Sequence, residues 1–301
     1  MPTIDTLVPD IYKLLDNPNR DWEFDVEREA QLGGRMIRHI RDEISDPDRS
    51  SRDPNERYVT QFTSSCPRRI WYEAACDERI REGMREKIAG HNRFKFVYGD
   101  LIEEVVLYLA ELAGHDVADC QKRLTLDMGN FTVAGRIDAI IDGVLIDVKS
   151  MEGFSFDRLL KGTWDDKFGY SRQLGIYYHM LNGEGYQLDG AGILAVNKVN
   201  GRMLVHKVSK DDMYEGIKTL HEFSHDPDKF TLPNREVTNK FGNTVLKAGC
   251  AYCPFKFDCY KDEGGLTVYG YSEGPTFVVG KHKVPKVPDI TKAYMAETGI
   301  S

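Results

Sequence analysis

The stretch GRIDAIIDGVLIDVKS, residues 135–150, sets Asp138, Asp142, Asp147 and Lys149 into a run otherwise built for a core. Asp142-Gly143 is a favoured two-residue hairpin turn, because both central positions must tolerate positive φ. With that turn fixed, Ile141 faces Val144, Ile140 faces Leu145, Ala139 faces Ile146, and Asp138 faces Asp147. The two carboxylates then project from one face with Cβ atoms ~5 Å apart. Lys149 lies two residues past Asp147 and projects from the same face, as does Arg136 two residues before Asp138. Like charges directly opposed cost roughly 0.2–1 kcal/mol when exposed and more when desolvated. A divalent cation between them reverses that sign. Two carboxylates, a backbone carbonyl and waters make an oxygen shell suited to Mg²⁺ or Mn²⁺. A lysine beside such a metal could position or deprotonate an attacking water.

The elements that must hold these residues can be read from periodicity. A helix is predicted over 63–80, capped by Ser64 or Ser65, with Pro67 in its first turn. A second is predicted over 96–114, where Leu101, Val105, Leu109 and Leu112 form an apolar stripe and Gly114 closes the end. Strands are predicted at RLTLDM (123–128), NFTVAGRIDAII (130–141) and GVLIDVKS (143–150). A helical region follows over 155–182, then two strands over 190–209 around an Asn-Gly turn, then a helix over 213–226. This order predicts an α/β domain with a mixed sheet flanked by helices. Residues 1–57 are polar and weakly helical, 45–56 has the composition of a loop, and 263–301 shows no clear period.

In this order the motifs resemble the PD-(D/E)XK nuclease superfamily in its RecB-like form. Gly135-Arg136-Ile137-Asp138 with Ile146-Asp147-Val148-Lys149 is similar to the family signature. Gln173-Leu174-Gly175-Ile176-Tyr177 is similar to its Gln-x-x-x-Tyr motif. Gly99-Asp100-Leu101-Ile102-Glu103 falls where the family has Gly-x-x-x-His or Gly-x-x-x-Glu. Glu104 competes for the third ligand position. Helical period does not choose between the two, and the glycine frame favours Glu103.

Cys250-x₂-Cys253-x₅-Cys259, with Cys66 far upstream, resembles the iron–sulfur nucleases of this superfamily, among them CRISPR-associated, AddB-type and phage exonucleases. The four thiols alone permit Zn²⁺ or an Fe–S cluster, and the resemblance favours [4Fe–4S]. Such a cluster would staple the helix near Cys66 to the C-terminal segment, in a restriction-endonuclease-like fold. Cys76 and Cys120 have no assigned role. The resemblance spans roughly residues 60–262. It implies an N-terminal helical extension (1–57), a nuclease domain with its cluster (58–262) and a C-terminal tail (263–301).

The implied activity is metal-dependent exonucleolytic hydrolysis of DNA in recombination, repair or phage DNA processing. Glu103, Asp138, Asp147 and the Val148 carbonyl would hold the metal, and Lys149 would orient or activate the water. Gln173 and Tyr177 share a helix face that, in the family, lies over the site and touches DNA, joined by Arg136 and Arg172. Trp71, Tyr72, Trp164 and Tyr170 could stack on bases, and also suit a core. A recombinase, helicase or other DNA-processing protein is the kind of partner implied. Two other readings stay open: an inactive nucleic-acid-binding module on the same fold, and a zinc-stapled interaction protein.

Bulk composition sets outer bounds. The chain has 301 residues, 41% of them hydrophobic and 29% charged, enough for a sizeable core. A net charge of -8 argues against a basic coat protein for nucleic acid but not against a local basic groove. No window reaches the ~18 apolar residues of a membrane span. The first residues lack a signal-peptide pattern, so a cytoplasmic location is expected, with a phage-encoded origin open.

Overall fold

The computed structural model describes residues 2–17, 25–45, 55–76, 83–88, 90–240, 242–280 and 283–300. Most of the loop expected over 45–56, and the end of the helix expected over 63–80, lie outside the described residues. Helices are α1 (Leu7–Leu15), α2 (Val26–Ser45), α3 (Pro67–Ala74), α4 (Gly90–Leu112), α5 (Gly153–Leu160), α6 (Tyr170–Gly183), α7 (Lys210–His225), α8 (Ala248–Ala251), α9 (Lys256–Cys259) and α10 (Thr291–Thr298). Strands are β1 (Glu56–Tyr58), β2 (Val117–Ala118), β3 (Arg123–Asp127), β4 (Thr132–Arg136), β5 (Ala139–Ile141), β6 (Val144–Met151), β7 (Gly190–Asn197), β8 (Met203–Lys207), β9 (Val237–Lys240), β10 (Asn243–Leu246), β11 (Thr267–Tyr271) and β12 (Gly274–Gly280). The result is a mixed α/β architecture arranged in two units. Among the described residues no helix is long and apolar enough to cross a membrane.

The first unit comprises Met1–Thr60, His91–Asp166 and Tyr170–Leu220. Its main sheet has the order β2-β5-β6-β7-β8. β5 and β6 form the antiparallel hairpin, with Ala139 opposite Ile146, Ile140 opposite Leu145 and Ile141 opposite Val144, as the turn chemistry requires. β6 runs parallel to β7 along its whole length, and α5 and α6 make the crossover. A central strand covered on both faces must be apolar nearly throughout, which is why VLI and V148 read as core. Alternation sends Val144, Ile146 and Val148 to one face, where they meet Leu7 and Ile11 of α1 and Val106, Leu107 and Ala110 of α4. Leu145, Asp147 and Lys149 belong to the other face, the one toward α6.

Two expected elements are divided. The strand expected over 130–141 breaks at Ile137-Asp138: β4 joins a separate sheet of order β1-β4-β3, and β5 joins the main one. The break is held by residues 121 and 122. Ile137 N–H donates to Lys122 O at 3.1 Å, and Gln121 N–H donates to Asp138 O at 3.0 Å. Asp119 and Gln121 both sit at positive φ, 52° and 58°, so this connection is folded tightly. The helical region expected over 155–182 also divides, into α5 and α6. Gly162 and Gly169 between them have φ of 66° and 72°, which a helix cannot contain. α4 in turn begins earlier than its apolar stripe suggests, at Gly90.

The second unit comprises Gln61–Gly90, Lys167–Gly169 and His221–Ser301. α3 opens with Pro67 at its first position, but Cys66 rather than a serine is the N-cap. Ser64 Oγ instead accepts the Cys66 N–H at 3.1 Å. An antiparallel sheet of order β11-β12-β10-β9 surrounds a core of Leu246, Tyr260, Leu266, Val268 and Phe277. Residues 263–301, which show no period in sequence, carry β11, β12 and α10. Within this unit Lys256 is almost fully buried, paired with Glu86, with its Nζ 4.5 Å from the centre of the Phe277 ring.

Candidate functional site

Asp142 and Gly143 have φ of 49° and 79°, a turn with both central residues left-handed. Asp142 also accepts the Asp116 N–H at 3.1 Å, and its Oδ2 lies 2.7 Å from His115 Nδ1. The turn is thereby fastened at its tip, and the register of the strands behind it follows. Asp147 is 3% exposed. Its Oδ1 accepts from Lys149 Nζ at 2.8 Å. Its Oδ2 is buried and has no hydrogen-bond partner. Lys149 Nζ also donates to the Val148 carbonyl at 3.3 Å and lies 5.2 Å from the centre of the Tyr170 ring. Asp138 accepts the Val148 N–H at 2.7 Å through Oδ2, which fixes it across the hairpin from Asp147. Arg136 does not share this face: β4 belongs to the other sheet, where Arg136 pairs with Arg123.

The two adjacent glutamates of α4 have different surroundings. Glu104 is 1% exposed and engaged by α2: Arg35 Nε donates to it at 2.6 Å, and His39 Nε2 lies 3.0 Å from its other oxygen. Those bonds hold its carboxyl below the usual range in spite of burial. Glu103 accepts from the Gln121 amide and is within electrostatic reach of Asp138, Lys149 and Asp147.

Burial, followed by the charge of Asp138, pushes the Glu103 carboxyl up to about 9. Burial likewise pushes Asp147 up to about 7, with Lys149 opposing and Asp138 adding to the rise. Asp138 is raised by burial as well. Burial alone would lower Lys149, but Asp147 and Asp138 outweigh it and the ammonium is held above its ordinary value. Three desolvated carboxylates, one oxygen of Asp147 among them buried and unpartnered, form an all-oxygen donor set short of positive charge. That chemistry fits a hard divalent cation. Among the described residues, no three His, Cys, Asp or Glu side chains are drawn together tightly enough to hold a metal ion.

α6 covers the carboxylate face. Asp166 accepts the N–H groups of Tyr170 and Ser171 at 2.9 and 2.7 Å, which starts the helix and brings Tyr170 over Lys149. Tyr177 is buried, bonded to Gln173, and its Oη accepts the Arg136 N–H at 3.2 Å. A side chain at Gly135 would overlap the Tyr177 ring, so the glycine of GRID admits this tyrosine. Gly175 does similar work on the opposite side, where a Cβ would overlap the Met213 carbonyl of α7. Arg172 and Gln173 are half-buried and Arg136 is exposed. Trp164 stacks on Tyr170 with centroids 6.2 Å apart. Tyr72, by contrast, is buried against Phe255 in the second unit, where no base can reach it.

In the second unit Cys66, Cys250, Cys253 and Cys259 all line one cavity of about 40 Å³, together with Arg68, Arg69 and Arg235. Cys66 Sγ accepts the Asn234 N–H at 3.4 Å and Cys250 Sγ accepts the Glu236 N–H at 3.3 Å. Burial raises the Cys250 thiol and pushes Cys253 up to about 12. Bare thiolates are costly there. Thiolates are the donors that suit a soft metal or cluster, but among the described residues these four, though they line one cavity, are not drawn together tightly enough to hold one. Cys76 and Cys120 lie elsewhere.

Gln121 and Tyr170 complete the carboxylate site and were not singled out as partners of it by sequence. Gln121 depends on a left-handed backbone that its residue type does not signal. The helix-capping Asp166, four residues before Tyr170, was the available sign for the other.

No protein-family model matches the chain, and no curated protein matches it significantly. Among solved structures it is similar to the protein SSO0001, with a TM-score of 0.40 and 16% identity over 76% of this chain and 94% of that one. It is also similar to a protein of Eubacterium rectale provisionally named an exonuclease, with a TM-score of 0.38 and 10% identity over 73% and 97%. Both TM-scores fall under 0.5, so the functional reading rests on the side chains of this chain.

Proposed function

We propose that the chain is a metal-dependent DNA exonuclease of the PD-(D/E)XK superfamily in its RecB-like, iron–sulfur form. The observation that carries this reading is Asp147: a carboxylate buried in a central strand, with one oxygen on Lys149 and the other unpartnered. A purely structural core gains nothing from such a group, since an orphaned buried oxygen costs about 1–3 kcal/mol. Glu103, Asp138, Asp147 and the Val148 carbonyl are the residues that would hold Mg²⁺ or Mn²⁺. When bound, such a cation supplies charge for the scissile phosphate and lowers the pKa of water.

The chain's own contribution is positional. The hairpin fixes the distance between two carboxylates, and α4 brings the third. Lys149, tethered by Asp147, orients the attacking water and stabilises charge that develops on the phosphate. The water oxygen bonds to phosphorus as the phosphorus–oxygen bond to the leaving nucleotide breaks. Tyr177 and Gln173 seat α6 over the site, Arg172 of the same helix offers a phosphate contact, and the exposed Arg136, on the other sheet, would touch DNA only beyond the carboxylate face. Cys66, Cys250, Cys253 and Cys259 would hold a [4Fe–4S] cluster, with Zn²⁺ the lesser alternative, and so close the second unit.

The test is digestion of end-labelled single- and double-stranded DNA by anaerobically purified protein, with and without Mg²⁺ or Mn²⁺. Wild type degrades DNA from an end only with metal, and Lys149→Ala, folded by circular dichroism, does not. Full activity in Lys149→Ala, or no cleavage by wild type on any substrate, sinks the reading. Iron and zinc content, with absorption near roughly 400 nm, decides the cysteine ligand.

A further inference from the structure

α2 docks on α4 through charge. Arg28 Nε donates to Glu111 at 2.9 Å, Arg35 Nε donates to Glu104 at 2.6 Å, and His39 Nε2 lies 3.0 Å from the second Glu104 oxygen. Residue numbers rise along α2 as they fall along α4, so the two helices run antiparallel. His39 therefore arrives beside Asp100, three residues before Glu103, with its Nδ1 3.9 Å from Asp100 Oδ2. The Asp100 side chain is 42% exposed and leaves that edge of the ring open to solvent. The groups that face His39 are Glu104 and Asp100 of α4, Asp138 at the break between β4 and β5, and Arg35 one turn back on its own helix. Acidic side chains at both ring nitrogens suit an imidazolium, the form with two N–H groups to give.

Lys149 reaches the carboxylates from the other side of the sheet. α4 packs on the face of β6 that holds Val144, Ile146 and Val148, whereas Lys149 lies under Tyr170 of α6. The charges are ordered in the same way. Asp138 is within electrostatic reach of both Lys149 and His39, while Asp147 is influenced most by Lys149, Asp138 and Asp166.

We infer that His39 is the general acid of the site, which protonates the leaving oxygen opposite the water that Lys149 orients. The inference rests on the nuclease reading and adds the proton donor. An in-line displacement sets the attacking and leaving oxygens on opposite sides of phosphorus, so a group on the Lys149 side cannot serve both. The water oxygen bonds to phosphorus and its proton passes to solvent. The bond to the leaving oxygen breaks, its electron pair stays on that oxygen, and the His39 proton joins it, directly or through one water. The imidazole regains a proton from solvent past Asp100.

The experiment is single-turnover cleavage, with Mn²⁺, of end-labelled DNA whose terminal linkage carries oxygen or a bridging sulfur, the sulfur placed on the 3′ side in one set and the 5′ side in another. A thiolate leaves without a proton, since a thiol ionises near ~8.5 and an alcohol far higher. His39→Gln, folded by circular dichroism, should cleave the oxygen linkage about 100- to 10,000-fold more slowly. It should cleave the linkage with sulfur at the leaving position at close to the wild-type rate. His39→Asn takes its place if His39→Gln does not fold. Arg35→Gln loosens the same docking without removing the acid, and should slow oxygen and sulfur linkages by one common factor. Wild-type cleavage of the oxygen linkage by His39→Gln overturns the inference and leaves the nuclease reading standing. A loss that sulfur does not reverse, or a reversal equally large in Arg35→Gln, makes His39 a fastener of α4 and overturns it too. A wild-type chain that cleaves no oxygen linkage defeats both readings.

Discussion

Replacing Gly135 with alanine tests the packing that seats β4 under α6. The added methyl would overlap Tyr177 Cε1, and would lie 2.7 Å from Tyr177 Oη and 2.9 Å from Val59 Cγ2. Tyr177 is 4% exposed and Val59 fully buried, so neither has solvent to move into. Overpacking of this kind costs about 1–3 kcal/mol. A displaced ring also gives up the Arg136 N–H at 3.2 Å, worth a further ~0.5–1.5 kcal/mol. The sum is about 2–4 kcal/mol, which moves a urea midpoint by roughly 1–2 M at a slope near 2 kcal/mol/M. The assay is urea denaturation of wild type, Gly135→Ala, Tyr177→Ala and the double variant. With Tyr177 truncated, the methyl at 135 should lose most of its cost, a coupling of about 1–3 kcal/mol. A wild-type midpoint in Gly135→Ala, or an undiminished cost beside Tyr177→Ala, would refute the contact.

Four further outcomes follow from the same structure. Gly175→Ala should cost about 1–3 kcal/mol by thermal or urea denaturation, because its Cβ overlaps the Met213 carbonyl. Gly183→Ala, at the end of the same helix with nothing within 4 Å, should be neutral or stabilising. Lys256→Met should destabilise by about 3–5 kcal/mol, because it strands Glu86 without its buried partner. Adding Glu86→Leu should recover most of that, and a double variant no better than the single would refute the pairing. Cys120, pushed up to about 11 by burial and then by Glu111, should resist iodoacetamide at pH 8. Its alkylation, followed by mass spectrometry, should accelerate as pH rises toward that value, since only the thiolate reacts. Rapid labelling of Cys120 at pH 8 would contradict its burial.

The hairpin was legible because its determinants are local: Asp142-Gly143 dictates the turn, and the turn dictates every pair behind it. The apolar stripe of α4 and the Asn-Gly hairpin of β7 and β8 were legible for the same reason. What escaped is what depends on distant partners. The division at Ile137-Asp138 is imposed by main-chain bonds from residues 121 and 122, and no residue type at 137 announces it. Glu103 and Glu104 have equal claims by helical period, and their different surroundings, Arg35 and His39 about Glu104 and Gln121 on Glu103, come from distant segments. The glycines of the motifs were visible as letters. Their reason, admission of Tyr177 at 135 and of the α7 backbone at 175, is a three-dimensional fact. The strands of residues 263–301 pair with each other and with β10 through short, glycine-punctuated segments that leave no period.

Asp138 accepts the Val148 N–H with a side-chain oxygen, in the place where a continuing strand would offer a main-chain carbonyl. Under the proposed function one residue is thus both a metal ligand and a fastener of the sheet, while Lys149 bonds only within its own strand, to Asp147 and the Val148 carbonyl, beside the Tyr170 ring. The two are unequal as genetic markers. A descendant that gave up chemistry for binding alone could shed Lys149 only together with the charge of Asp147, whose buried carboxylate it pairs, yet would be held to Asp138 by its architecture. Across such descendants the lysine, and not the first aspartate, is the position whose loss reports a silenced site.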